Sequence, residues 1–117
     1  MEIIYEMRGR ILVAELYGEM DHHASEKIRK ELDEMMGLYG VRHLVFDFER
    51  VTFMDSSGIG IVLGRYRKLQ EEGGSVMIVR CSQKIRTILH MAGVFSVVPY
   101  TDTREEAIVY LEGKEVS

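Results

Sequence analysis

The first part of the chain consists of short apolar segments separated by turn residues. EIIYEM, residues 2–7, and RILVAELY, residues 10–17, are both strand-like, and Gly9 lies between them. A glycine at such a point supplies the positive φ that a tight turn between two strands needs. We therefore predict an antiparallel hairpin at the N-terminus.

A helical period replaces the strand pattern from Ala24 onward. Apolar residues recur at spacings of three and four, as at Ala24, Ile28 and Leu32, and charged residues fill most positions between them. This spacing places the apolar side chains on one face of a helix. Gly37 and Gly40 are typical of its end.

Three more helices are predicted by the same criteria. The second covers residues from about 57 to 72, the third lies within residues 82–93, and the last continues to Leu111. Thr103 and Glu106 have the spacing of a capping box at the start of the last helix.

Further strands are predicted over residues 42–53, 75–80 and 96–100, which gives the order ββαβαβαβα. Strands that alternate with helices after a hairpin favour right-handed crossovers and a small mixed sheet. The chain has 117 residues, of which 46% are hydrophobic, enough for one packed core. We predict an α/β fold with about four helices, in a single domain over residues 1–117.

Charge and composition exclude some classes of partner. The formal net charge is -4, with 15 basic and 19 acidic residues dispersed along the chain, so there is no basic patch of the kind that binds nucleic acid. No apolar run approaches the roughly 20 residues that span a bilayer, and the N-terminus lacks the features of a secretory signal. The single cysteine, Cys81, suits a reducing compartment. We expect a cytoplasmic protein that binds neither nucleic acid nor membranes.

Two loops carry the candidate chemistry. GEMDHH, residues 18–23, follows the second strand, and FMDSSG, residues 53–58, follows the third. The carboxyl ends of parallel strands meet at one edge of a sheet, where helix N-termini offer unpaired amides and partial positive charge. We therefore expect these two loops to be neighbours.

The Asp-Ser-Ser-Gly segment has three interpretations. Asp55 or Ser57 caps the second helix, which contributes about 1 kcal/mol. A catalytic serine is a second interpretation, but the G-x-S-x-G elbow is absent, because Met54 and Asp55 stand two residues before the two serines. The third is an exposed serine that a kinase modifies, held in place by a scaffold.

Metal and nucleotide motifs are not matched by these loops. His22 and His23 are adjacent and point apart on an extended loop, and they do not complete a set of three or four ligands. We expect no metal site. Gly58, Gly60 and Gly64 fit neither G-x-G-x-x-G nor a P-loop. These glycines leave part of the second helix without side chains, so the sheet or a docking partner can approach its backbone closely.

In these segments the sequence resembles the anti-sigma factor antagonists of the STAS fold, and among them the sporulation antagonists that oppose the anti-sigma F factor. The resemblance lies in GEMDHH, in RHLVFDFERVTFMDSSGIGIVLGRYR at residues 42–67, and in MAGVF at residues 91–95. DSSG followed by a small-apolar helix is specific to the family. Met20 stands where leucine is usual.

The resemblance implies a switch protein with no catalytic residues. In the family the first serine after the aspartate, Ser56 on this chain, is phosphorylated by the anti-sigma factor, and a PP2C-type phosphatase removes the phosphate. The unphosphorylated form binds the anti-sigma factor and frees the sigma factor for sporulation transcription. No intrinsic cofactor is implied, since ATP and Mg²⁺ belong to the partner kinase.

Partner contacts are expected at six positions in or directly after the two loops: Asp21, His22, Asp55, Ser57, Gly58 and Ile59. Asp21 is carried over from the resemblance. Arg65 and Arg67 are weaker candidates, because arginines on helices are usually solvated. Three alternatives stay open: the general-stress antagonist paralogue, a nucleotide-binding STAS-like domain, and a hydrolase.

Overall fold

The computed structural model describes residues 1–115, with six β-strands, four α-helices and a short 3-10 turn. The strands are β1 Glu2–Arg8, β2 Ile11–Met20, β3 His43–Asp47, β4 Val51–Met54, β5 Ser75–Val79 and β6 Tyr100–Thr101. The helices are α1 His22–Leu38, α2 Ser56–Glu71, α3 Gln83–Met91 and α4 Arg104–Glu115. Residues 116 and 117, which the predicted domain 1–117 includes, lie outside the described residues.

The predicted hairpin and mixed sheet are both confirmed. β1 and β2 pair antiparallel, from Glu2 opposite Tyr17 to Arg8 opposite Ile11, and Gly9 turns the chain with φ +60°. The remaining pairings are parallel, in the order β1-β2-β3-β5-β6, with β4 paired to β2 outside this series.

The segment predicted as one strand over 42–53 forms two. β3 ends at Asp47, whose carboxylate accepts a hydrogen bond from the N–H of Glu49 at 3.1 Å. The N–H of Val51 then bonds to the carbonyl of Phe48 at 3.1 Å. Side-chain to backbone bonds of this kind stabilise turns, so the chain bends and β4 begins. β3 pairs with the first half of β2 and β4 with its end.

The strand predicted over 96–100 is also shorter than expected. A 3-10 turn at Val94–Ser96 comes first, and β6 has only the two residues Tyr100–Thr101. Pro99 has no N–H to contribute to a ladder, although its carbonyl accepts a hydrogen bond from Ile78 at 3.0 Å.

The alternation of side chains along the strands divides the core between the two faces of the sheet. Helices α1, α2 and α3 cover one face, where Leu12, Leu44 and Phe46 are fully buried. Helix α4 covers part of the other face and packs on Val45 and Val79. The sheet therefore lies between two helical layers, with its strand ends free to carry loops. None of the helices within residues 1–115 combines the length and the apolar character needed to cross a membrane.

Helix α4 is also held to the sheet by an ionic network centred on a buried carboxylate. Asp47 is 0% exposed and accepts hydrogen bonds from Arg104 Nε at 2.6 Å and Arg80 Nη2 at 2.7 Å. Glu15 lies 3.3 Å from Arg80 and 3.1 Å from Arg104. Burial by itself raises the pKa of Asp47, but the hydrogen bonds from both arginines and from the backbone of Glu49 outweigh it and hold the pKa below its usual value.

Candidate functional site

The two predicted loops are neighbours, because β2 and β4 are paired in parallel and end together. Met20 is the register partner of Met54, and each is the last residue of its strand. An aspartate follows each methionine, and a helix begins directly after each aspartate. The N-termini of α1 and α2 are therefore brought together at one edge of the sheet.

Asp21 and Asp55 are the N-caps of these two helices. Asp21 Oδ1 accepts a hydrogen bond from the N–H of Ala24 at 3.0 Å, which satisfies one unpaired amide of α1. Asp55 Oδ1 accepts from the N–H of Ser57 at 2.8 Å. The prediction that Asp55 or Ser57 caps α2 is thus resolved in favour of Asp55.

Asp55 also connects the two loops. Its second oxygen, Oδ2, accepts a hydrogen bond from the N–H of His22 at 3.1 Å, and its own N–H bonds to the carbonyl of Met20 at 3.3 Å. Both carboxylate oxygens are therefore occupied by backbone amides of the two helix N-termini. The loop geometry depends on this one side chain.

Ser56 is the first residue of α2 and is exposed, whereas Ser57 is half-buried. The helix thus starts one residue earlier than predicted. Within residues 1–115 no side chain is hydrogen bonded to the hydroxyl of Ser56, so the structure provides no base in contact with it. An exposed hydroxyl on a fixed backbone suits a group that another protein modifies.

Gly58 lies beneath the surface, and the partner contact at this residue stays a prediction. A Cβ at this position would lie 2.7 Å from Cγ of Met54 and 2.9 Å from the carbonyl oxygen of Met20. The glycine therefore allows the first turn of α2 to pack closely on the ends of β2 and β4. Gly60 and Gly64 have no neighbouring atom within 4 Å of such a Cβ, and Gly60 is exposed.

The remaining predicted positions lie around Ser56 with differing exposure. His22 is exposed and Ile59 is half-buried. The rings of His22 and His23 are 6.1 Å apart between centroids. No group of three or more His, Cys, Asp or Glu side chains in the described part of the chain is placed to hold a metal ion.

Phe53 was not identified from the sequence as a surface residue of this site. It belongs to β4, three residues before Ser56, and is 39% exposed. The ammonium of Lys84, from α3, lies 5.7 Å from the centre of its ring, a geometry in which the cation is attracted to the ring face. The signal in the sequence is the pair of charged residues Glu49 and Arg50, where the predicted strand is interrupted. Because β4 begins anew at Val51, the side-chain alternation of β3 does not determine which way Phe53 points.

Arg65 is buried rather than solvated, contrary to expectation. It is 8% exposed, and its Nε lies 3.1 Å from Oδ1 of Asp33 on α1. The geometry of that contact is not a hydrogen bond, and Nη1 is also without a hydrogen-bond partner in the described residues. Burial lowers the pKa of Arg65 despite the nearby Asp33 carboxylate. Arg65 therefore belongs to the α1–α2 contact, while Arg67 is exposed.

Comparison with known proteins identifies the architecture that carries this site. Residues 2–107 match the STAS domain family. The chain belongs to the STAS family. This STAS domain is similar to the anti-sigma F factor antagonist of Paenibacillus polymyxa, with 33% identity over 112 residues that cover 96% of each chain.

Solved structures agree with this assignment. The anti-sigma factor antagonist SpoIIAA in its unphosphorylated form has 35% sequence identity and a TM-score of 0.83, over 96% of this STAS domain and 97% of that chain. The Bacillus cell fate determinant SpoIIAA in the phosphorylated form has 35% identity and a TM-score of 0.72, over 93% and 98%. The predicted fold and family resemblance are therefore confirmed, and these relatives carry the names of regulatory proteins rather than of enzymes.

Proposed function

We propose that this chain is a partner-switching anti-sigma factor antagonist whose activity is controlled by phosphorylation of Ser56. In the unphosphorylated form it binds an anti-sigma factor, which is also a serine kinase, and frees the sigma factor for sporulation transcription. The observation that carries this proposal is the exposed Ser56 at the joined helix N-termini, in a chain similar to anti-sigma F factor antagonists.

The geometry supports Ser56 over Ser57 as the phosphate acceptor. A kinase must bring the hydroxyl to a phosphoryl group inside its own active site, which requires exposure. Ser56 is exposed, while Ser57 is half-buried and its N–H is bonded to Asp55. SpoIIAA, a relative with 35% identity, has been solved in a phosphorylated form.

A phosphate on Ser56 changes the charge of the docking surface rather than the fold. It adds about -1.5 to -2 charges next to the carboxylate of Asp55. That carboxylate already occupies the amides of Ser57 and His22, so the phosphate cannot take those bonds without displacing it. A thousandfold loss of partner affinity requires about 4 kcal/mol, which like charges in a desolvated interface can supply.

The partners follow from the same chemistry. The kinase supplies ATP and Mg²⁺, so the antagonist needs no cofactor of its own, and a PP2C-type phosphatase returns Ser56 to the binding form. Asp21, His22, Asp55, Ser57 and Ile59 surround Ser56 and are the proposed contact positions. Because the sigma factor and the kinase act in the cytoplasm, the antagonist is proposed to act there too.

The decisive experiment is intact-mass analysis after incubation with the anti-sigma factor of the same organism and Mg-ATP. We expect one added phosphate, mapped to Ser56, that the PP2C-type phosphatase removes. Ser56→Ala should abolish incorporation, and Thr52→Ala, which removes an exposed hydroxyl of β4 outside the proposed contact positions, is the matched control that should retain it.

Other outcomes separate the alternatives. Absence of incorporation, or incorporation that Ser56→Ala leaves unchanged, contradicts the proposal. Tight nucleotide binding by the isolated chain would indicate a nucleotide-binding STAS domain instead. Ester hydrolysis lost in Ser56→Ala would indicate a hydrolase.

A further inference from the structure

The outer edge of β1 is the long unpaired edge of the sheet. β1 has seven residues and, within residues 1–115, pairs only with β2. The opposite edge is formed by β6, which has two residues. Natural sheets usually protect a long edge with repelling charges, proline or a covering segment. The residues of β1 therefore decide whether this edge is protected or can pair with another strand.

The hairpin register fixes which backbone groups of β1 point outward. Gly9 and Arg10 form a two-residue turn, and Arg8 opposite Ile11 closes it. The closing pair of such a turn is hydrogen bonded, and bonded and non-bonded pairs then alternate along the ladder. Ile3, Tyr5 and Met7 therefore direct their N–H and C=O groups away from β2, towards the open edge.

A second copy of β1 can satisfy all of these groups at once. In an antiparallel pair about a two-fold axis through Tyr5, Tyr5 lies opposite its own counterpart and Ile3 lies opposite Met7 of the other copy. Every outward group of both strands then has a partner. The three side chains are half-buried against the core under α1, α2 and α3, so this face pairs apolar residues.

The same register makes the charges complementary. Residues Glu2, Ile4, Glu6 and Arg8 lie on the other face, the one that carries α4, as the contacts of Glu6 and Arg8 with that helix show. In the paired arrangement Glu2 of each copy lies directly opposite Arg8 of the other. Both side chains are exposed, and Glu2 makes no ion pair within residues 1–115. Opposite charges at facing positions stabilise strand pairing, and like charges oppose it.

We propose that the chain forms a symmetric homodimer through antiparallel pairing of β1 with β1 of a second copy, centred on Tyr5. Ile4, which is 47% exposed, is partly covered in this dimer by Glu6 of the other copy. The contact is isologous and closes on itself, so it produces dimers rather than filaments. Pairing at this edge leaves Ser56 accessible and does not depend on its phosphorylation, so the dimer can be tested separately from the proposed function.

Charge reversal tests the register. Glu2→Arg or Arg8→Glu places like charges opposite each other twice in the dimer, and each is expected to weaken dimerisation about tenfold in sedimentation equilibrium. The double variant Glu2→Arg/Arg8→Glu restores opposite charges and is expected to recover the dimer. Arg29→Glu, an exposed reversal on α1, is the control that should leave the dissociation constant nearly unchanged.

Hydrogen exchange provides a second measurement that does not depend on a variant. Exchange at the amides of Ile3, Tyr5 and Met7 should slow as protein concentration rises, while exchange at Thr52 and Ser56 stays constant. A chain that remains monomeric up to about millimolar concentration, with no concentration dependence at these amides, overturns the proposal. A dimer that the single reversals do not weaken, or that the double reversal does not restore, overturns it as well.

Discussion

The carboxylate of Asp55 bonds to the backbone N–H of His22 across the gap between two helices, with Oδ2 3.1 Å from the nitrogen. Its other oxygen holds the N–H of Ser57 at 2.8 Å. One side chain thus satisfies amides that would otherwise be unpaired at two helix N-termini.

Substitution of Asp55 should cost more stability than the loss of an ordinary cap. Asp55→Ala removes both bonds and is expected to lower the free energy of unfolding by about 2 kcal/mol, since each bond contributes about 1 kcal/mol. Asp55→Asn retains one acceptor oxygen and should lose about half as much. Urea unfolding at pH 7 measures both values.

The matched control for this prediction is Ser82→Ala. Ser82 caps α3 through one bond, from the N–H of Ile85 to its Oγ at 3.3 Å, and its loss should cost about 1 kcal/mol. Equal losses for Asp55→Ala and Ser82→Ala would mean that the bond to His22 contributes no stability.

The glycines of α2 should differ sharply in their tolerance of a side chain. Gly58→Ala places a methyl group against Met54 and the backbone of Met20 and is expected to destabilise the fold by about 1 to 3 kcal/mol. Gly60→Ala meets no atom within 4 Å and should stabilise the helix by about 0.5 to 1 kcal/mol. Opposite signs in thermal unfolding confirm that Gly58 serves packing; a neutral Gly58→Ala would contradict it.

Acid should destabilise the fold partly through Asp47. Its pKa is below the usual value in the folded chain, so its contribution is complete above about pH 4, where the unfolded carboxylate is also charged. The contribution is lost as the pH falls through the folded pKa. Asp47→Asn should cost about 1.5 to 3 kcal/mol at pH 7, because Arg80 and Arg104 lose hydrogen bonds to a buried carboxylate but keep their contacts with Glu15.

Measurement of urea midpoints from pH 7 to pH 3 tests this prediction. The difference between the native chain and Asp47→Asn should shrink at the acid end, although Glu6, Glu15 and Glu49 of the same network also titrate there. Glu49→Gln, at the more exposed end of the network, should cost less than about 1 kcal/mol. A constant difference across the range would show that Asp47 is not the titrating group.

Arg65 should be dispensable for stability. It is buried between α1 and α2, and its Nε and Nη1 lack hydrogen-bond partners in the described residues. Replacing a buried, poorly paired charge by an apolar side chain is often neutral or favourable. We expect Arg65→Met to change the free energy of unfolding by between zero and about +2 kcal/mol in thermal or urea unfolding. A loss above about 1 kcal/mol would show that the Asp33 contact is strongly stabilising.

Local pattern was sufficient to predict most of the fold. Ile28 and Leu32, on the apolar face of α1, are buried as expected. The predicted capping box is also present, since the N–H of Glu106 donates a hydrogen bond to the hydroxyl of Thr103 at 3.1 Å. These features depend on residues three and four apart, which a single sequence displays directly. The hairpin at Gly9 is local in the same sense.

The errors arose where distant contacts decide the structure. The split at residues 48–50 depends on Asp47 turning the chain and on β2 being long enough to pair with two strands in succession. The burial of Arg65 depends on α1 lying alongside it. At the candidate site the aspartates were identifiable, but the bond from Asp55 to His22 joins residues 33 positions apart.

The split of the third strand sets the reach of the Ser56 loop. β3 and β5 end level with Glu15 of β2, whereas β2 continues to Met20, paired with β1 as far as Tyr17 and with β4 from Gly18 onward. At about 3.3 Å per residue, the three residues after Tyr17 carry the paired ends of β2 and β4 about 10 Å beyond the end of the β1 ladder. Ser56 therefore follows two residues after a strand end that is fixed by pairing within the sheet, so its hydroxyl is presented to a partner on a stiff support rather than on a long loop.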